Sequence, residues 1–118
     1  MNSCNGFFSN GTKFLLPCLL LILSENEYHG YGILEKIKDF GFYDHDPDIS
    51  VIYRNLNKLE QNQFVKFRWD TSSAGPAKKV YVITALGLEA LEERVEFLKK
   101  RRASIDRFIH NYDTRKGQ

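Results

Sequence analysis

Residues 14–23 are apolar without interruption. A run with no polar face predicts a helix enclosed on all sides. Pro17 belongs in its opening turn, where a missing amide sacrifices no hydrogen bond. A second helix is predicted over about 30–40, with Ile33, Leu34 and Ile37 inward, and Gly41 ends it as a left-handed cap. Residues 43–47 carry turn chemistry. Asp48 can then cap a third helix reaching about residue 62, its carboxylate accepting a bond from the first turn. In that helix Ile49, Ile52, Leu56 and Leu59 gather in one inward stripe at 100° per residue. Beyond it the period changes to two: Val65, Phe67 and Trp69 alternate with Lys66, Arg68 and Asp70, and residues 80–84 are also strand-like. Between them lies Thr71-Ser72-Ser73-Ala74-Gly75-Pro76, a strong turn, so the two strands form a hairpin.

The remainder reads as one long helix over about 85–112. Leu88, Leu91, Val95, Leu98, Ile105, Ile109 and Tyr112 keep a three-four spacing, with Arg102 in the one missing position of the seam. A heptad stripe this long exceeds what one small domain needs, and it predicts a partner helix, most simply that of a second copy. The competing reading docks the stripe on the first helix of its own domain. The pattern leaves the orientation of two such helices open. The expected architecture is α+β, mainly α: a winged helix-turn-helix with a long C-terminal dimerisation helix. Residues 1–12, rich in Asn, Ser and Gly, form a loose tail, 13–84 the winged domain, and 85–118 the dimerisation helix and a short tail.

Composition changes this picture little. The chain has 118 residues and a formal charge of +2, so a nucleic-acid partner must be argued from where the charge sits. The third helix turns Ser50, Val51, Arg54, Asn57, Lys58 and Gln61 outward and keeps its acids, Asp48 and Glu60, off that face. Arginine suits guanine, asparagine and glutamine suit adenine, and serine and lysine bind bases or phosphates. Tyr53 flanks the stripe, positioned either to reach a phosphate with its hydroxyl or to half-bury as a core residue. Lys78 and Lys79 follow Gly75-Pro76 at the hairpin tip, with Lys66 and Arg68 on the incoming strand; glycine permits close approach and the lysines neutralise phosphate.

Other chemistries fit less well. The apolar run is too short to span a bilayer and lacks a small-residue cleavage site after it, so neither membrane nor export is expected. Cys4 and Cys18 make no disulfide framework and have no basic neighbour to activate a thiol, which points to a reducing cytoplasm. Asp44, His45, Asp46 and Asp48 lack ligand spacing, so no metal is expected. Lys99-Lys100-Arg101-Arg102 reads as a solvated face. With no nucleophile-base pair, phosphate loop or paired carboxylates, neither an enzyme nor a cofactor is expected.

Four ordered stretches resemble the PadR-like transcriptional regulators: His29-Gly30-Tyr31-Gly32-Ile33; Ile52-Tyr53-Arg54-Asn55-Leu56-Asn57-Lys58-Leu59-Glu60; Trp69-Asp70-Thr71; and Gly75-Pro76-Ala77-Lys78-Lys79-Val80-Tyr81 with Ile83-Thr84. The resemblance runs from about Leu15 to Leu91. It implies a repressor that binds a pseudo-palindromic operator in double-stranded DNA as a homodimer through its first and last helices. By resemblance Tyr31, Tyr53, Arg54, Asn57, Lys78 and Lys79 touch DNA, and a hydrophobic small molecule or polymer acts as inducer. The family often opens its recognition helix with Pro-Gly-Thr, whereas this chain has Ile49-Ser50-Val51, which leaves the fold intact and the identity of the bases read open. Phe14-Leu15-Leu16-Pro17 and Trp69-Asp70-Thr71 resemble the polyhydroxybutyrate-responsive branch. A rival from another class is a winged-helix interaction module that holds a protein or polymer granule without reading DNA.

Overall fold

The computed structural model describes residues 14–117. Helix α1 (Leu15–Glu25) leads through a two-residue strand β1 (Tyr28–His29) into α2 (Gly30–Phe40), and α3 (Ile49–Gln61) follows a loop. Strands β2 (Val65–Asp70) and β3 (Lys78–Ile83) form the hairpin, and α4 (Ala85–Lys116) completes the chain. The sheet is antiparallel in the order β1-β3-β2. Three helices with a small sheet and a long last helix are the winged helix-turn-helix that the periodicities predict.

The core lies where α1, α2, α3 and the inner sheet face meet. Leu19, Leu20, Ile22, Ile33, Ile37, Ile52, Leu56 and Leu59 are fully buried there, with Tyr81 and Val65 from the sheet. Gly41 takes φ 68° after α2, and its amide donates to the carbonyls of Ile37 and Lys38. That is the left-handed cap expected of a residue without Cβ.

Several expectations are corrected. Helix α1 is not enclosed on every side: Leu21 is 37% exposed and Phe14 lies open beside it, because a domain this small cannot surround a helix completely. Asp48 does occupy the N-cap of α3, but its carboxylate makes no capping bond. Its backbone carbonyl instead accepts from Val51 and Ile52 at 3.0 and 3.1 Å. The second hairpin strand begins at Lys78 rather than Val80, and Thr84 leaves it to cap α4. The Thr84 hydroxyl accepts from the Gly87 amide at 3.0 Å and reaches the Gln63 carbonyl as donor at 2.7 Å. One side chain therefore starts the long helix and ties it to the end of α3. A Cβ at Gly87 would strike the Phe64 carbonyl oxygen, so the close crossing needs glycine there.

Helix α4 leaves the domain quickly. Only Gly87, Ala90 and Arg94 are buried along it, with Leu91 and Leu98 half-buried. Arg94 lies 4.3 Å from the Phe97 ring centroid. From residue 99 to the end every described side chain is exposed, including the basic run at 99–102. The face docked on the domain is thus offset from the seam at Leu88, Val95, Ile105, Ile109 and Tyr112, all of which are exposed. Phe97 and Phe108, absent from the expected seam, widen the open apolar surface.

Candidate nucleic-acid interface

Helix α3 divides by its period. Ile52, Asn55, Leu56 and Leu59 face the core, and the buried Asn55 amide donates to the Val51 carbonyl at 2.8 Å. Ser50, Tyr53, Arg54, Asn57 and Gln61 are exposed on the other side, with Val51 and Lys58 half-buried. Among the described residues the ion pairs are His29–Asp70, Arg68–Glu27 and Lys99–Glu96, so Arg54, Lys58 and Lys78 form no ion pair with a described residue.

Tyr53 is held by its neighbour across the helix junction. A Cβ placed on Gly30 would lie 2.5–2.6 Å from the Tyr53 ring and hydroxyl. The phenol therefore rests against the bare backbone at the start of α2, where any larger residue would displace it. Burial, with Tyr31 alongside, raises the Tyr53 pKa. Tyr31, one residue on from Gly30, is 63% exposed.

These residues meet the wing across one cleft of about 550 Å3 lined by His29, Tyr31, Gly32, Tyr53, Asn57, Ala77, Lys78, Lys79 and Tyr81. Five of the nine residues expected to touch DNA line it: Tyr31, Tyr53, Asn57, Lys78 and Lys79. Ser50, Arg54 and Lys58 lie elsewhere on the outward surface of α3, and Gly75 sits in the hairpin loop with φ 102°. Sequence reasoning missed His29, Gly32, Ala77 and Tyr81 as lining residues. The first two lay within the quoted His-Gly-Tyr stretch, which was the available signal. Ala77 and Tyr81 lay within the quoted stretch from Gly75 to Tyr81, where attention went to the lysines and Tyr81 was read as part of a strand.

The wing differs from expectation in how its charges are used. Lys78 and Lys79 stand within β3, opposite Asp70 and Trp69, and not at the tip. The Lys79 ammonium lies 4.1 Å from the Phe67 ring centroid and 5.9 Å from that of Trp69, so two aromatic faces hold it in place. Arg68 is engaged within the chain, its Nη2 donating to Glu27 Oε1 at 2.8 Å. On that same sheet face His29 Nε2 lies 3.1 Å from Asp70 Oδ2. Asp70 Oδ1 accepts from the Ser72 hydroxyl at 2.6 Å and its amide at 3.0 Å. Chiefly through these two Ser72 bonds, and then through His29, the Asp70 carboxyl is lowered to about 2. The wing thus keeps one face internally paired and presents Lys79 and the aromatics on the other.

Elsewhere the chemistry is quiet. Cys18 is buried and its thiol is pushed up to about 12 by desolvation, so the reactive thiolate is suppressed; Cys4 lies outside the described residues. No group of three or more His, Cys, Asp or Glu side chains among the described residues is placed to hold a metal. No described helix is long and apolar enough to cross a membrane.

Residues 19–93 match the model of the Transcriptional regulator PadR-like family. The Transcriptional regulator YqjI of Escherichia coli (strain K12) is 30% identical over 98 residues, which make up 80% of this chain and 44% of that protein. The chain therefore spans less than half the length of this curated relative. A PadR-like transcriptional regulator from Bacillus cereus superposes with a TM-score of 0.69 at 29% identity, covering 80% of this chain and 90% of the other. Bacillus subtilis PadR, solved in complex with operator DNA, gives 0.63 at 28% identity, covering 70% of this chain and 46% of that one. With its winged helix-turn-helix, its acid-free α3 face and a family match over most of its length, this chain belongs to the PadR-like family of transcriptional regulators.

Proposed function

We propose that the chain is a sequence-specific repressor that binds a pseudo-palindromic operator as a homodimer. Helix α3 enters the major groove, where Arg54, Asn57 and Ser50 read base edges and Tyr31, Tyr53 and Lys58 fix the register on phosphates. Lys78, Lys79 and the Gly75 loop hold the flanking backbone or minor groove. The observation that carries this reading is the single cleft in which Tyr53 and Asn57 of α3 face Tyr31 and the wing lysines. An acid-free helix face with a cationic wall beside it complements a phosphate-lined groove.

In this reading residues 13–84 form the DNA-binding unit and α4 joins two copies through Leu88, Leu91, Val95, Leu98, Ile105, Ile109 and Tyr112. The protein works in the cytoplasm and represses by occupying a promoter. A hydrophobic small molecule or polymer binding near the long helices releases it, through different affinities for two spacings of the heads. The relatives reported above lend no support to the narrower polyhydroxybutyrate-responsive branch, which rests on the two short stretches around Pro17 and Trp69 alone.

The test is a titration of the dimer on the DNA upstream of its own coding region and on random DNA, at two salt concentrations. Tight, salt-sensitive preference for the upstream fragment is the expected result. Arg54→Ala should cost about 1–3 kcal/mol on the operator and little on random DNA. Lys78→Ala should weaken both alike and reduce the salt slope by about one. Equal losses on both DNAs for Arg54→Ala would remove its base-reading role.

A further inference from the structure

The alternation of β2 leads the wrong side chain outward. Val65, Phe67 and Trp69 share one sheet face, and their exposure climbs from buried through half-buried to 58% at Trp69. Leaving a large indole in water forfeits burial that a polar residue would not need. Yet the ring is not loose. It meets the Phe67 ring edge-on, with centroids 5.6 Å apart and planes at 86°. Lys79, directly opposite in the strand register, extends its ammonium over the same pair. The indole is therefore supported by the wing and open outward.

Its position continues the cleft described above. Lys79 and Tyr81 line that cleft, and Trp69 stands on their face of the sheet, one strand farther out. The wing's acid, Asp70, belongs to the opposite face by alternation and is engaged there with His29. Around Trp69 the surface is thus apolar with one cation and no carboxylate from β2 or β3. Such a patch fits the deoxyribose wall of a duplex, which offers apolar sugar faces bordered by phosphate.

We infer that Trp69 is a wing contact that seats its indole on the sugar wall of the duplex beside the α3 site, positioning the wing by apolar contact and not by charge. The inference rests on the duplex-binding reading above. It makes a distinction that a lysine contact does not: burying an indole releases no condensed counterions, so its loss lowers affinity without changing the salt slope.

Trp69 is the only tryptophan in the chain, so intrinsic emission reports on this side chain alone. The experiment is quenching by neutral acrylamide, with and without saturating operator, where saturation is established separately by the anisotropy of labelled DNA. Protection of Trp69 in the complex is expected. Trp69→Ala should weaken operator binding on the order of ten-fold with the parent's salt slope, and Trp69→Phe should recover part of that loss. Unchanged quenching when the DNA is bound would overturn the inference and leave the repressor reading standing, as would Trp69→Ala affinity within two-fold of the parent. Protection that grows with protein concentration in the absence of DNA would also overturn it, placing the indole between copies. A protein that binds no duplex at all would remove both readings.

Discussion

Helices α3 and α4 are both amphipathic, yet the chain satisfies one and leaves the other open. The apolar stripe of α3 is spent inside the domain, with Ile52, Leu56 and Leu59 fully buried. Its opposite face is consequently polar apart from the half-buried Val51, carries no acid, and is free to meet a ligand. Helix α4 has the reverse economy. Its docked face is a short patch of Gly87, Ala90 and Arg94, while Ile109 is 48% and Phe108 73% exposed. Apolar surface left in water along most of a helix is the mark of an interaction surface, which the proposed dimer would cover. The same periodicity therefore says different things according to whether the domain reaches far enough to cover it.

Trimming the two stripes equally is the sharpest way to break that contrast. Leu56→Ala should destabilise the protein by about 2–5 kcal/mol through transfer and cavity terms, read as a lower denaturant midpoint at every protein concentration. Ile109→Ala should leave the unfolding of dilute protein unchanged and act only where the transition depends on concentration. A large, concentration-independent loss for Ile109→Ala would mean that its stripe is covered within the chain. The double change Ile105→Glu with Ile109→Glu should convert the proposed dimer to monomer in sedimentation. Operator affinity should then fall on the order of 100-fold as the second head is lost, with the helical signal of the winged domain retained.

Smaller effects test the binding half of the comparison. Gly30→Ala should slightly favour α2, since alanine is the better helix former, while displacing Tyr53 and weakening operator binding by roughly 1 kcal/mol, the scale of one hydrogen bond. Placed in a Tyr53→Ala background it should have almost no further effect, which a double-mutant cycle would reveal. Smallest is a pH effect on the wing. Asp70 is held below its ordinary 3.8, at about 2, so its ionised form favours the folded wing. That contribution is complete above about pH 4 and is lost as pH falls through about 2. Hydrogen exchange at the Ser72 amide should accelerate over that window, relative to the intrinsic rate, and Asp70→Asn should abolish the change.

Much of this was written locally in the chain. The stripe of α3, the glycine stop at Gly41 and the switch from a period near 3.6 to one of two each depend on neighbours within a few residues, and each stands where the pattern put it. What was illegible depends on residues far apart in sequence. Arg68 looked like a free wing cation because Glu27, its partner, is 41 residues away. Strand β1 has two residues and no alternation to betray it; its existence depends on pairing Tyr28 with Tyr81 and His29 with Val80. Thr84 continues a strand pattern, but the carbonyls of Gln63 and Phe64 recruit its hydroxyl as a cap. Trp69 fitted an inward alternation that the sheet, by outrunning the core, could not honour. For the site, the outward α3 residues were readable from the period, while the cleft joining them to the wing required the tertiary fold.

The length of α4 has a mechanical consequence. Its 32 residues extend about 48 Å at 1.5 Å per residue. In the proposed dimer, a tilt of about 5° about its far end would carry the domain fixed at Thr84 through roughly 4 Å, slightly more than the 3.4 Å between successive nucleotides of a DNA strand. In that dimer the helix acts as a lever that moves its domain by about 0.8 Å for each degree of tilt. A disturbance too small to unfold anything can then put two recognition surfaces out of phase with their half-sites.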